Sequence, residues 1–346
     1  MDQHNPNDVL RRLLDAGRRR ARANGPDHAR LWDCLTAATE GGKRFRPTLV
    51  VGTHDALGGS NPGAAAQVGA AVELLHTALV VHDDVIDGDE VRRGQPNVNG
   101  SFRAAAAGAG INPVGAQMYG RTAGILAGDL ALAAAVRAVA TCGAEPEVTD
   151  AVLDLFDTAL HTTAAGELAD VGLALGMGQA TLATSLTMAQ QKTSAYSFAL
   201  PLQAGAVLAG AAAHTVTVLG EAGRLLGTAF QLLDDLLGVF GDPVRTGKSV
   251  TSDLATGKQT PLLTHAQQTP EWPSIRMYVG RELPNDELSE VQLLLQRCGS
   301  RGYVEQLIAG HVDQARRVLA DVPACLDLLA VVDLSLPAHY GAVVAA

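Results

Sequence analysis

From Ala64 to Val81 the chain is almost wholly apolar, and it sets alanines where a strand would carry alternating β-branched and aromatic side chains. Small side chains let helix axes approach closely, and alanine is the strongest helix former, so this pattern predicts packed helices. The same texture recurs along the chain: only 4% of residues are Phe, Trp or Tyr, while glycines number 37. Helical periodicity or long apolar runs predict helices over roughly 8–23, 28–39, 46–57, 63–87, 114–142, 147–176, 179–208, 217–241, 284–298 and 301–321. Gly and Pro mark the breaks, at 58–63, 88–113, 143–146 and 241–261. None of these breaks is a low-complexity linker and no fixed-period repeat is present, so an all-α chain with one domain over 1–346 is expected.

The formal charge of -10 argues against a nucleic-acid partner, which would need a basic face to displace counterions. Cys34, Cys142, Cys298 and Cys325 lie far apart with no CxxC pair, so neither a zinc site nor a disulfide framework is expected. A cytoplasmic setting follows. The polar stretch Met1 to Asp8 and the basic stretch Arg11 to Arg22 do not read as a signal peptide. The apolar run Ala199 to Gly220 is interrupted by Pro201, Gln203 and His214, and reads as a buried helix rather than a transmembrane segment.

Chemistry concentrates at two helix ends. His82-Asp83-Asp84-Val85-Ile86-Asp87 closes the first apolar stretch with the pattern DDxxD. On a helix Asp83 and Asp87 share a face, with Asp84 beside them, and like charges so placed call for a hard cation such as magnesium or calcium. A solvated acidic helix end is the plain alternative; an EF-hand loop lacks its other acidic positions here. A second cluster, Phe230-Gln231-Leu232-Leu233-Asp234-Asp235-Leu236-Leu237-Gly238, repeats the arrangement. Two such ends facing each other would hold magnesium ions and, through them, a diphosphate.

The basic residues of this acidic chain interleave with those clusters: Gly41-Gly42-Lys43-Arg44-Phe45-Arg46-Pro47, Arg92-Arg93-Gly94-Gln95-Pro96, Lys192-Thr193, and Gly247-Lys248 with Gly257-Lys258. Arg offers a fork to phosphate and Lys a point charge. His76 lies on the helical face of Asp83, seven residues earlier, and reads as a substrate ligand rather than a core histidine.

Together these residues resemble the trans-type isoprenyl diphosphate synthases, the farnesyl and geranylgeranyl diphosphate synthase family. The match spans a motif core from about Gly41 to Thr260, with C-terminal helices over 261–346. It covers GGKRFRP, ELLHTALVVHDDVID, RRGQP, Gly128-Asp129, GExxD at Gly166 to Asp170, KTSAYSF, FQLLDDLLGVFGDP, TGK, SDL and GKQT. The resemblance implies an isoprenoid synthase fold, antiparallel helices around a deep cavity, usually in a homodimer. It implies magnesium, up to about three ions, on Asp83, Asp87 and Asp234 with Asp84 and Asp235 in support. Arg92, Lys192 and Lys248 would grip an allylic diphosphate (dimethylallyl, geranyl or farnesyl), assisted by Gln231 and Lys258, with Thr193 steadying the developing cation. Lys43, Arg46, His76 and Arg93 would form a metal-free site for isopentenyl diphosphate.

Three positions depart from the family pattern: Gly238 stands where many members have Asp, Asn97 where Thr follows RRGxP, and Glu167 where Gln is common. The first leaves the second acidic motif one ligand short, for which Asp242 would partly compensate; the third needs a cation partner or a proton. Product length should follow from the helix below Asp83, where Ala78 lies about 7.5 Å deeper and Leu75 about 12 Å deeper. A small Ala78 with medium-sized Leu79 and Leu75 fits a geranylgeranyl product, or a longer polyprenyl chain. A class I terpene cyclase and a non-catalytic partner subunit are the rival readings. The complete isopentenyl site weighs against the first and the intact acidic and basic set against the second.

Overall fold

The structure, a computed structural model, describes residues 2, 4–241 and 252–333. It forms two compact units: Met1–Phe156 with Gln203–Ala212, and Asp157–Leu202 with Ala213–Ala346. Among the described residues the only strands are the two-residue pair Val91–Arg92 (β1) and Gln95–Pro96 (β2), antiparallel. The all-α expectation holds.

In the first unit the helices are Pro6–Arg22 (α1), Pro26–Ala38 (α2), Phe45–Ala56 (α3), Pro62–Asp87 (α4), Val98–Gly108 (α5) and Pro113–Ala140 (α6). Three of them start with the same dipeptide, Asn-Pro. Asn5, Asn61 and Asn112 cap α1, α4 and α6, each accepting a hydrogen bond from a backbone N–H of the first turn, and the following proline pre-sets the helical φ. Such a cap contributes about 1 kcal/mol. Glycine then sets the spacing. A Cβ on Gly17 of α1 would fall 2.1 Å from the Trp32 ring on α2, and on Gly124 and Gly128 of α6 within 2.3 Å of Val85 and 2.1 Å of His82 on α4. The DDxxD end of α4 therefore packs at van der Waals distance on a small-residue face of α6 that also buries Ala116, Ala123, Ala127 and Ala131.

Two features of this unit differ from expectation. The break 88–113 contains α5, which escapes a periodicity search because Ala105, Ala106 and Ala107 mark no polar face; Asn97 caps it, accepting from the Gly100 N–H. The run Ala199 to Gly220 is not one helix: it divides at residues 209–212, where Gly210 takes φ +73°.

The second unit takes the later part of Pro146–Ala174 (α7), Leu182–Ala189 (α8), a π-helix over Gln190–Ala199, the start of Leu200–Leu208 (α9), Ala213–Phe240 (α10), and the helices Ser252–Ala255, Pro261–Ala266, Asn285–Arg297 and Ser300–Leu319. The expected helix over 179–208 is thus three segments, and its middle is wound to the looser i→i+5 pattern. Glycines hold the π-helix from two sides. A Cβ on Gly166 of α7 would lie 2.4 Å from the Lys192 backbone nitrogen, and on Gly227 and Gly223 of α10 it would lie 2.4 Å from Ser194 Cα and 2.5 Å from Ala199 Cα. The core of this unit joins Leu232, Leu236 and Val239 of α10 to Leu262, Leu263, Val291, Leu295, Val304 and Ile308 of the later helices.

Two helices, α4 and α6, are long and apolar enough to cross a membrane by length and composition. In α4, 78% of the apolar window is buried inside the structure; in α6, 44%. All four cysteines are free thiols.

Candidate functional site

In the first unit the acidic residues sit on the last turn of α4, with Asp84 buried, Asp83 half-buried and Asp87 exposed. The nearest carboxylate oxygens of Asp83 and Asp87 lie within 4.8 Å of each other, one helical turn apart. Arg92, on β1, reaches back to this turn. Its Nε donates to Asp84 Oδ1 at 2.7 Å, its Nη2 lies 2.6 Å from the same oxygen, and Nη2 lies 3.4 Å from Asp83 Oδ2. Burial pushes the Asp84 carboxyl up to about 6, the Arg92 hydrogen bond and charge pull it down, and the Asp83 and Asp89 charges add to the rise. Arg92 thus spends its charge on the acidic motif here, and Asp84 answers to Arg92. Two hard oxygen donors with one turn between them, Asp83 and Asp87, fit a magnesium ion.

A few residues away in the same unit the other basic residues gather. Arg93 takes a left-handed backbone, φ +54°, which turns its side chain toward the glycine pair: Nη1 donates to the Glu40 carbonyl, and its guanidinium nitrogens lie 3.4 Å and 3.5 Å from where Cβ atoms on Gly41 and Gly42 would stand. Arg44 also has positive φ, +50°, and ties the loop down through Asn7 Oδ1 at 2.8 Å and the Thr39 carbonyl at 3.1 Å. Positive φ in non-glycine residues is costly and clusters at functional sites. Lys43 is exposed just ahead of α3, Arg46 is buried in its first turn, and His76 is half-buried on α4. Burial pushes the His76 imidazole well below its ordinary range, and the Arg46, Arg92 and Arg93 charges push the same way. His76 is a neutral imidazole among three arginines.

In the second unit Lys192 lies in the π-helix, with Nζ 2.9 Å from Asp170 Oδ2 and 3.0 Å from Glu167 Oε2. The unusual Glu167 therefore has its cation partner. Thr193 donates to Gln231 Oε1, and Gln231 Nε2 donates to Asp235 Oδ1 at 2.7 Å. This relay links the π-helix to the second acidic cluster. Burial pushes the Asp235 carboxyl up to about 8, with Asp253, Asp234 and Asp170 adding to the rise and the Gln231 hydrogen bond opposing it. Asp235 is thus a buried partner of Gln231, while Asp234 is half-buried. Lys258 is half-buried, its backbone N–H bonded to the Asp253 carbonyl. Lys248 and Asp242 lie outside the described residues.

Asp253 is a residue that motif matching passed over, although it stands in the SDL segment. A Cβ on Gly238 would fall 2.3 Å from its Oδ2. The missing side chain at 238 makes the space this carboxylate fills. Of the residues expected to set product length, Leu75 and Ala78 are sealed in the interior and Leu79 is half-buried.

The sequence pattern of the Polyprenyl synthetase family matches residues 29–291, and the chain belongs to that family. It is a prenyltransferase of the isoprenyl diphosphate synthase class. It is 32% identical over 283 residues to the short chain isoprenyl diphosphate synthase of Methanothermobacter thermautotrophicus, covering 81% of each chain. It is 34% identical over 288 residues to the geranylfarnesyl diphosphate synthase of Aeropyrum pernix, covering 82% of this chain and 85% of that one. Among solved structures, the geranylgeranyl pyrophosphate synthase of Corynebacterium glutamicum, complexed with isoprenyl diphosphate and magnesium, superposes with a TM-score of 0.88 at 28% identity, covering 96% of this chain and 97% of that one. Further relatives range up to octaprenyl and nonaprenyl diphosphate synthases.

Proposed function

We propose that this chain, working as one polyprenyl synthetase domain over 1–346, condenses an allylic diphosphate with isopentenyl diphosphate, head to tail, to give a trans-prenyl diphosphate, geranylgeranyl diphosphate being the favoured product. The observation that carries this reading is the basic cluster of Arg46 and Arg93 in the first unit, whose charges both act on the His76 imidazole. A synthase needs two diphosphate sites, one of them for isopentenyl diphosphate. A terpene cyclase, which takes a single diphosphate, has no use for the second, and a non-catalytic subunit has no use for either.

In this reading Asp83, Asp87 and Asp234 hold magnesium, with Asp84 and Asp235 supporting. Magnesium bound there would make the allylic diphosphate a better leaving group. Arg92, Lys192, Lys248 and Lys258 bind that diphosphate, and Arg92 and Lys192 come to it from the carboxylates that orient them, Asp84 and Asp170. Thr193 and Gln231, held by the Asp235 relay, present oxygen atoms where positive charge develops on the allylic carbon. Lys43, Arg46, His76 and Arg93 hold isopentenyl diphosphate so that its double bond attacks that carbon as the carbon–oxygen bond breaks. A proton then leaves the condensed chain to the departing diphosphate. Fixed charges supply most of the rate.

The half-buried Leu79 on the wall below Asp83 supports a product of geranylgeranyl length. A homodimer is supported by α6, whose outward face bears Val114 at 78% and Met118 at 68% exposure, with Ile125, Leu126 and Val136 along the same helix. Apolar surface of that extent on one helix marks an interaction face. The free thiols fit a cytoplasmic setting.

The test is incubation with magnesium, isopentenyl diphosphate and each allylic diphosphate in turn, followed by chromatography of the dephosphorylated products. A ladder ending in one prenyl alcohol, lost on chelation and in Asp83→Ala, is expected. Cyclic hydrocarbons would make the protein a cyclase, and no product from any primer would make it a partner subunit.

A further inference from the structure

Glu167 is one of the three departures from the family pattern, and its surroundings in the second unit show what the change brings. Glu167 and Asp170 stand three residues apart on α7, which puts both on one face of the helix. Lys192 is held against that face twice. A Cβ on Gly166 would lie 2.4 Å from the Lys192 backbone nitrogen, so the π-helix backbone touches α7 beside Glu167. The Lys192 ammonium then lies 3.0 Å from Glu167 Oε2 and 2.9 Å from Asp170 Oδ2. All three side chains are less than one-fifth exposed, so water and salt screen these charges far less than they screen a surface pair.

Two carboxylates on one ammonium leave the trio with a net negative charge. Asp170 alone is enough to orient the lysine and to balance it. The second carboxylate therefore changes what Lys192 does for an anion: its hydrogen-bonding direction is kept, while its attraction for a bare diphosphate is offset. Diphosphate that carries magnesium is a different ligand, because the metal presents positive charge to the same carboxylate. We propose that Glu167 makes the allylic diphosphate site selective for the magnesium complex: by setting a second carboxylate on Lys192, it turns away metal-free diphosphate and admits the metal-bound form. This deepens the synthase reading and rests on it.

The alternative is that Glu167 only helps Asp170 to place Lys192, and the two differ in sign. If it only places the lysine, removing its charge loosens Lys192, and diphosphate binds more weakly with or without magnesium. If it confers selectivity, removing its charge tightens binding of the metal-free diphosphate by about tenfold or more, the scale of one unit charge lost from a partly screened site. By linkage, magnesium and diphosphate then favour each other's binding by a correspondingly smaller factor.

The experiment is calorimetric titration of the intact chain with the thiolodiphosphate analogue of geranyl diphosphate, whose carbon–sulfur bond resists ionisation. It is run in EDTA and again in saturating magnesium, with isopentenyl diphosphate present throughout to fill its own site. Wild type is compared with Glu167→Gln and, as control, with Glu147→Gln on the exposed first turn of α7. The expected result is that Glu167→Gln binds the analogue about tenfold or more tighter than wild type in EDTA, and within about threefold of it in magnesium. Glu147→Gln should match wild type in both, and Glu167→Asp, which keeps the charge, should keep the wild-type ratio of the two affinities. Should Glu167→Gln fail to fold, Glu167→Ala is held to the same result. Equal weakening in both conditions, an unmoved ratio, or the same shift in Glu167→Asp would overturn the inference. A wild-type protein that makes no condensation product would sink the synthase reading; a wild type that condenses beside a variant with an unmoved ratio would sink only the role of Glu167.

Discussion

Gly166→Ala adds one methyl group where α7 meets the π-helix that carries Lys192 and Thr193. The new Cβ would stand 2.4 Å from the Lys192 backbone nitrogen and 2.8 Å from the Gln191 carbonyl carbon, whereas ordinary contact begins at 3.4 Å. These neighbours are backbone atoms and cannot swing aside. The two segments must therefore separate by about 1 Å, and a displacement of that size at a catalytic group costs about a hundredfold in rate. On its other side the π-helix lies so close to α10 that a Cβ on Gly227 or Gly223 would stand 2.4 Å or 2.5 Å from its backbone, so it has no room to retreat. The Lys192 contacts to Glu167 and Asp170 on the same α7, at 3.0 Å and 2.9 Å, would be strained with it. Overpacking of this kind costs about 1–3 kcal/mol of stability. The assay is kcat for prenyl transfer alongside a thermal melt, with Gly172→Ala as control. Gly172 lies on the same helix and its Cβ would meet nothing within 4 Å, so that change should leave activity alone and stabilise by about 0.5–1 kcal/mol. A Gly166→Ala enzyme with wild-type kcat would refute the claim that this backbone contact fixes the position of Lys192.

Three further outcomes follow from the same geometry. His76 stays neutral in the fold while an unfolded histidine takes up a proton below about 6.5, so its contribution to stability is present above that pH and is lost as pH falls; urea unfolding of wild type should weaken between pH 7.5 and 5.5 more steeply than that of His76→Gln, and equal slopes would contradict it. Leu79→Ala should lengthen the main product by at least one isoprene unit and Leu79→Phe should shorten it, read from the chromatographed alcohols; an unmoved ladder in both would place the chain stop elsewhere. Met118→Glu on the exposed face of α6 should convert a dimer to monomer in light scattering without lowering the melting temperature of the chain itself, and an unchanged mass would exclude that face as the interface.

What the sequence makes legible is whatever a single segment decides. The apolar run of α4 and the DDxxD turn at its end are local, and the structure places them on the helix that periodicity puts there; the Asn-Pro starts of α1, α4 and α6 are just as local, but a search for periodicity passes over them. Residues that depend on a neighbour from another segment are a different matter. Nothing in the stretch Gln190–Ala199 announces a π-helix, and the glycines that let other helices pack against it, 166, 223 and 227, lie in other segments. The partner of Glu167 is legible only as a need for some cation, and Lys192 is the one that meets it. Arg92 reads as a substrate ligand on charge alone, yet it is paired with Asp84 and Asp83 because the β1–β2 turn folds it back onto α4.

Gly238 carries this lesson furthest. By position it reads as a carboxylate lost from the second acidic cluster. In the fold it is the opening that a different carboxylate enters, since any Cβ at 238 would stand 2.3 Å from Asp253 Oδ2. An aspartate at 238 and Asp253 in its present place exclude each other. The Asp253 charge is the first, after burial, of the influences that raise Asp235, so this acid belongs electrostatically to the cluster that Gly238 seemed to deplete. The segment that follows the helix thus places a carboxylate beside the cluster at the point where position 238 has no side chain. A substitution Gly238→Asp, made to restore the pattern, would therefore bring two like charges into one space.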